Sequence, residues 1–420
     1  MNIIEKILAQ HRTNGYGDVC PGDIVKVSVD KTIMLDIAGM HPELIKNPPK
    51  RVFDPRKVAI IFDHFVPAPT TEIAEGTSKI AGLAAKWGID DFYGYGRGGI
   101  SHTLAAEKGW LLPGRIIANT DSHTIATGAY NSIGRGLGMP ELMQVLCTGQ
   151  TWFIVGETNR VNLFGTLAVG VEAKDIFLTL ANQIGDIPNQ NIEFGGDGIR
   201  NLTIDERAVV STMCAELSAE FAAFPYDNVL ETYVKDRAES TFHPVYPDTD
   251  ADYVRQFDVD LNCLEPMVAL PDSVSRNARN VREVEGIHID QATIGSCANG
   301  RLSDLEVASR ILEGRKVSRD TRLIVTPSTQ HIYLEAERLG YIRKIAEAGG
   351  LVTNSTCGSC FGGHMGLLGL GENGITSTTR NFKGRMGSRD AKIYMASSAT
   401  VAASAVEGKI ADPRKYLAGA

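Results

Sequence analysis

At 420 residues the chain is long enough for two or three domains and a large buried core. Its 43% hydrophobic and 22% charged residues are those of an ordinary globular protein and exclude a largely disordered one, and a formal net charge of -8 argues against a nucleic-acid surface. Seven cysteines, an odd number scattered along the chain, do not make a secreted disulfide framework and point to a reducing cytoplasm.

In chain order, "MNIIEKILAQHR" places apolar residues at helical spacing and lacks the apolar core and cleavage site of a signal peptide. No run approaches the roughly 20 apolar residues needed to span a membrane. "KVAIIFDHF" (57–65) reads as a buried strand. The following "TTEIAEGTSKIAGLAAKWG" puts Ile73, Thr77, Ile80, Ala84 and Trp87 on one face of a crossover helix that closes at Gly88. "GRIIANTD" (114–121) is a second strand. The loop-rich "IPNQNIEFGGDG" (187–198) and "YPDTDADYVRQFDVDLN" (246–262) suggest a smaller middle lobe, with "SRNARNVREVEG" (275–286) as the linker out of it. Further strands follow at 288–297, 322–329 and 351–356, then a small-residue helix, "SSATVAASAVEGK". The pattern is that of an α/β protein with mainly parallel sheets covered by helices on both sides, in three lobes at 1–163, 164–284 and 285–420.

Polar residues fall just past several of these strands. Asp63 and His64 end "KVAIIFDH", Asp121, Ser122 and His123 follow "RIIAN", Cys297 ends "ATIGSC", and Cys357 follows "LVTNST". Ligands of open parallel sheets bind at that edge. Any one such residue is more simply a turn former or helix cap, but four segments that share the placement indicate a site.

The pair Cys357 and Cys360 in "STCGSCFGG" suits several chemistries. A thioredoxin-like couple needs no third cysteine. A structural zinc site needs four ligands, and there is no second CxxC. With Cys297 in "IGSCANGR" the pair makes three, the number that holds a cubane cluster with one iron open. Ordinary buried thiols are the remaining alternative, as for Cys20, Cys147, Cys214 and Cys263. "GYGRGG" (94–99) matches a dinucleotide fingerprint, but "WGIDDF" before it is no buried strand, so it reads as a loop that positions His102. "TTRNFKGRMG" (378–387) offers Arg380 and Arg385 for carboxylates, with a solvated basic loop as the plainer alternative. In "STMCAELSAEF" (211–221), read as a helix, Glu216 lies among apolar neighbours and is either half-exposed or held by a cation such as a histidine.

Together "DHF", "GISH", "TDSHT", "IGSCANGR", "CGSC" and "RNFKGRMG" occur in the order and spacing of the aconitase superfamily, and nearly the whole chain resembles the large subunits of its two-subunit dehydratases, of the 3-isopropylmalate dehydratase and homoaconitase type. The resemblance implies a three-lobed α/β/α core without the C-terminal swivelling domain, and a hydro-lyase acting on a hydroxy di- or tricarboxylate. It implies a 4Fe-4S cluster on Cys297, Cys357 and Cys360, carboxyl–histidine pairs Asp63 with His64, Asp121 with His102 and Glu216 with His123, and substrate contacts from Ser122, Arg380 and Arg385. It also implies a small-subunit partner carrying the missing domain and its catalytic base. A cluster-sensing, RNA-binding relative fits the acidic charge less well, and a zinc or redox protein would use the CxxC alone.

The chain departs from the family pattern at Thr379 and Thr212, where asparagine is usual, at Ala298, where threonine is usual, and in "TCGSCFGGH", which lacks a proline. These changed neighbours bear on the substrate: 3-isopropylmalate leads, with homoaconitate or another branched hydroxydiacid such as 2,3-dimethylmalate as alternatives.

Overall fold

The computed structural model describes residues 1–417. In it the apolar runs Lys31–Leu35, Val58–Ile61, Ile116–Asn119 and Ile133–Gly136 join the short strand Phe92–Tyr93 in a five-stranded, wholly parallel sheet. Side chains alternate between its faces, as the period of a strand requires. Met34, Val58, Ile60 and Ala118 bury against one layer of helices, including Ile80, Ala84 and Trp87 of helix Thr71–Trp87. Ile33, Leu35, Ala59, Ile61 and Ile117 bury against the other. Helix Thr71–Trp87 starts where the Thr70 side chain accepts the Ile73 N–H and stops at Gly88, whose φ of +66° suits a residue without Cβ. It seats directly on the turn Asp36–Met40, because Gly76 meets Gly39 so closely that a Cβ on Gly39 would fall 2.6 Å from the Gly76 backbone.

The strand order is Phe92–Tyr93, Val58–Ile61, Lys31–Leu35, Ile116–Asn119, Ile133–Gly136. The chain thus starts in the centre, builds outward to one side, then crosses back and builds to the other. Lys31–Leu35 is the switch point, where the connections before and after diverge and leave a crevice at the carboxyl edge.

The C-terminal part repeats this order. Gln291–Gly295 is central, Arg322–Thr326 and Leu351–Val352 extend one side, and Asn373–Thr376 and Lys392–Ala396 the other, all parallel. Met267–Ala269 and Ala278–Asn280 add two antiparallel strands at the edge. The small-residue helix forms over Ser398–Glu407 and ends at Gly408, and its alanines are wholly buried in the core of this sheet.

Two stretches differ from the expectations above. Within 187–198, Asn191–Gly195 is a fully buried strand of a second, four-stranded sheet; its polar residues are satisfied from inside, Glu193 by the Ile3 N–H and by Arg160 and Tyr253. The expected linker 275–286 holds the edge strand Ala278–Asn280 and helix Val281–Val284. By its internal contacts the chain forms two compact units, Met1–Phe164 with Ile187–Val259, and Gly165–Asp186 with Asp260 onward. The interval 164–284, expected as a middle lobe, is shared between them. Among the described residues no helix is long and apolar enough to cross a membrane.

Candidate active site

In the first unit the carboxyl edge of the parallel sheet carries an acid at each of three adjacent strands: Asp36, then Asp63 and Asp121 on either side. Asp36, buried at the switch point, accepts the backbone N–H groups of Asp63 at 3.2 Å, His64 at 3.1 Å and Phe65 at 2.6 Å, and so fixes the turn that presents His64. Asp36 is not among the residues expected from sequence, although it stands directly after the apolar run "KTIML" as Asp63 stands after "KVAIIF". Asp63 Oδ1 is hydrogen-bonded to His64 Nδ1, and Oδ2 accepts the Ser101 N–H at 3.2 Å. Burial raises the Asp63 carboxyl to about 7. Burial opposes the charge on His64 too, but Asp63 beside it, with Asp36 and Asp121, raises it to about 10. Asp36, Asp63 and His64 bring ligand atoms within 4.8 Å of one another, yet Asp36 is occupied by three amides and Asp63 by His64 and Ser101.

The glycine-rich loop 94–99 follows the two-residue strand Phe92–Tyr93 and lies on the end of the next strand, where a Cβ on Gly98 would meet the Phe62 carbonyl at 2.4 Å. It leads into the seven-residue helix Ser101–Glu107, which carries the buried His102. Past Ile116–Asn119, Asp121 Oδ1 accepts the His123 N–H at 2.8 Å, and His123 Nε2 pairs with Glu216 Oε1 at 2.8 Å. Ser122 Oγ is 3.4 Å from His123 Nδ1. Burial would raise Asp121, but its bond with His123 and the charges of His123, His102 and His64 hold it well below the usual carboxylate range. Burial also opposes the His123 cation, and Asp121 and Glu216 more than offset it. The unit therefore brings His64, His102, His123, Asp63, Asp121 and Glu216 together. Glu216 is not on a helix as expected: helix Ile204–Met213 tightens into a 3-10 turn, Cys214–Leu217, which ends at Ser218 with φ +60°. Thr212 turns its hydroxyl back to the Ala208 carbonyl of its own helix at 2.6 Å.

In the second unit the equivalent edge carries the sulfurs. Gln291–Gly295 ends in an abrupt turn, Gly295 at φ +130° and Ser296 at φ +68°. Only glycine fits at 295, where a Cβ would meet the Thr326 carbonyl at 2.1 Å. Cys297 follows, and beyond it Asn299 Nδ2 and the Arg301 N–H bind the buried Asp304 at 2.8 and 3.0 Å, which pins the loop to helix Leu302–Leu312. Past the third strand, which stops at Val352, earlier than expected, Cys357 precedes the 3-10 turn Gly358–Phe361 and Cys360 lies within it. All three thiols are buried. Hydrogen bonds from Cys297 and Cys357 hold Cys360 well below the ordinary thiol range, with the Arg385 charge adding to them. Cys357 is pushed well above it, chiefly by its bond to Cys360 and by burial.

The loop with Arg380 and Arg385 follows strand Asn373–Thr376, beside that of the first cysteine. A Cβ on Gly362 would lie 2.6 Å from the Arg385 carbonyl, so this loop packs backbone to backbone on the cysteine turn. Arg385 Nε is buried without a hydrogen-bond partner among the described residues. The fully buried Lys174 donates to the Thr378 carbonyl at 3.0 Å, and Thr379 puts its hydroxyl against the sulfurs of Cys360 and Cys297. Lys174 as a partner of this loop was not legible in sequence, since only the fold brings residue 174 to 378.

Three buried soft sulfurs with hydroxyl and guanidinium neighbours form a donor set suited to an iron-sulfur group. The model of the aconitase family (aconitate hydratase) matches residues 57–279 and 272–408, and the chain belongs to that family. Membership implies an iron-sulfur cluster. Among relatives, the 3-isopropylmalate dehydratase large subunit of Mycolicibacterium smegmatis is 50% identical over 100% of this chain and 98% of its own length. The 3-isopropylmalate dehydratase large subunit 1 of Methanopyrus kandleri is 42% identical over 98% of this chain and 99% of its own. Of solved structures, the aconitase X of Thermococcus kodakaraensis has the same fold, with a TM-score of 0.53 at 13% identity, covering 87% of this chain and 88% of that one.

Proposed function

We propose that this chain is the large subunit of a two-subunit hydro-lyase that interconverts 2- and 3-isopropylmalate in leucine synthesis by moving water across a carbon–carbon double bond. The observation that carries the reading is the set of Cys297, Cys357 and Cys360, buried beside Arg385, in a chain similar along its full length to dehydratase large subunits. The three cysteines would hold a 4Fe-4S cluster whose remaining iron, when the cluster is bound, supplies Lewis acidity toward a substrate hydroxyl and carboxylate.

The other residues take roles that follow from their partners. Asp63 holds His64 by Nδ1 and so orients the imidazole that would deliver the proton a departing hydroxide needs. With its pKa raised to about 10, His64 carries that proton at neutral pH. Asp121 and Glu216 favour the protonated form of His123 and orient it beside Ser122, and His102 adds its charge at Asp121. Arg380 and Arg385 carry fork-shaped donors suited to the substrate carboxylates. The base that acts at carbon comes from the small subunit.

Anaerobic reconstitution with iron and sulfide tests this. Four irons with matching sulfide per chain, lost when any of the three cysteines becomes serine, are expected; one zinc without sulfide would end the cluster reading. Isopropylmalate, homoaconitate and dimethylmalate should then be compared with and without a co-expressed small subunit. Full activity of the chain alone would refute the need for a partner.

A further inference from the structure

Two hydroxyls are arranged among the three sulfurs in one pattern. Ser296 Oγ lies 3.7 Å from Cys297 Sγ and 3.6 Å from Cys357 Sγ. Thr379 Oγ1 lies 3.8 Å from Cys297 Sγ and 3.4 Å from Cys360 Sγ. Each hydroxyl therefore spans two sulfurs, and Cys297 is common to both. Both residues are almost wholly buried, so bulk water does not compete for these contacts.

The backbone beneath each hydroxyl is constrained. Ser296 is held at φ +68°, a left-handed conformation unfavourable for a residue with a Cβ, directly after the close-packed Gly295. Thr379 follows a backbone tied from two directions: the Thr378 carbonyl accepts from buried Lys174 at 3.0 Å, and the Thr378 N–H donates to Thr376 Oγ1 at 3.1 Å. A free thiol can donate in such a contact. A sulfur that has lost its proton to bind metal can only accept, so each hydroxyl must then donate.

We infer that Ser296 and Thr379 form a hydrogen-bonding collar on the cysteine sulfurs, positioning residues that set the reduction potential and air stability of the iron-sulfur group held there. The inference rests on the cluster reading above. Donation toward a ligating sulfur withdraws electron density and favours the reduced state, so the collar raises the potential. Thr379, standing where the family pattern has asparagine, reaches the sulfurs through a single hydroxyl.

The test uses the reconstituted chain and its Thr379→Val, Thr379→Ser, Ser296→Ala and Ser296→Gly variants, with iron and sulfide counted before a mediated redox titration and a timed exposure to air. Valine keeps the shape of threonine without the donor, serine keeps the donor, and glycine removes the Ser296 hydroxyl while suiting its backbone. The expected result is a more negative potential and faster bleaching in Thr379→Val, Ser296→Ala and Ser296→Gly, with Thr379→Ser close to the parent. Variants that hold the parent's iron and sulfide and show its potential overturn the collar, as does a Thr379→Ser shift as large as that of Thr379→Val. A parent chain that takes up no iron overturns the cluster reading and the collar with it.

Discussion

Removing the Asp36 carboxylate should markedly destabilise the first unit. Asp36 Oδ1 accepts two backbone N–H groups and Oδ2 a third, at 3.2, 3.1 and 2.6 Å, in a site closed to water. Asp36→Ala removes the carboxylate that accepts from three backbone N–H groups, each loss costing about 1–3 kcal/mol. Because the three share one carboxylate and one turn they do not add fully, and a total of about 4 kcal/mol follows. Asp36→Asn retains one oxygen for the Asp63 and His64 amides and turns an NH2 group toward the Phe65 N–H, so about half that loss is expected. For a unit of this size 1 kcal/mol moves the melting point by about 2–4 °C, which gives a fall of about 10 °C for alanine and about 5 °C for asparagine. Thermal melts followed by circular dichroism at fixed scan rate, on chains matched for iron content, measure this. An alanine variant that melts within about 2 °C of the parent would refute the reasoning, because the orphaned amides would then have found other partners.

Other outcomes follow from the same geometry. His64 is raised to about 10 in the folded chain, so its stabilising effect is complete below the ordinary histidine range and is lost as pH climbs toward 10; Asp63→Asn, which removes its partner, should shift that alkaline loss, and the alkaline limb of the rate, to lower pH in melts and pH–rate profiles. Glu216→Gln removes a charge that raises the pKa of His123 and orients its ring, and should lower kcat by roughly 10²–10⁴-fold with little change in melting point, as steady-state kinetics and melts would show. Arg385→Lys keeps the charge and loses the fork; it should raise KM for the hydroxydiacid more than it lowers kcat, whereas a pure fall in kcat would move Arg385 away from ground-state carboxylate binding.

The strands at 57–65, 114–121 and 288–297, the helix closing at Gly88 and the alanine-rich helix were legible because each signal is local: an apolar run, a cap, a glycine in the left-handed region. Buried strand Asn191–Gly195 was not, because its polar residues look like a loop until Arg160, Tyr253 and the Ile3 amide arrive to satisfy Glu193. The 3-10 turn under Glu216 was missed for a similar reason: its sequence remains helix-like, and the left-handed Ser218 ends it.

The sequence by itself determined which reactive residue types this chain offers and how they are spaced. Cysteines at 297, 357 and 360, histidines at 64, 102 and 123, and arginines at 380 and 385 are residue types whose reactivity and spacing are written in the chain. Only the tertiary structure decided how they are held. It built two sheets with one strand order from segments without visible repeat, set Asp36 behind His64 at the switch point of the first, and set Ser296 and Thr379 against the sulfurs at the edge of the second. Those are contacts between residues tens of positions apart, and they exist because strand order, not sequence distance, fixes which loops become neighbours.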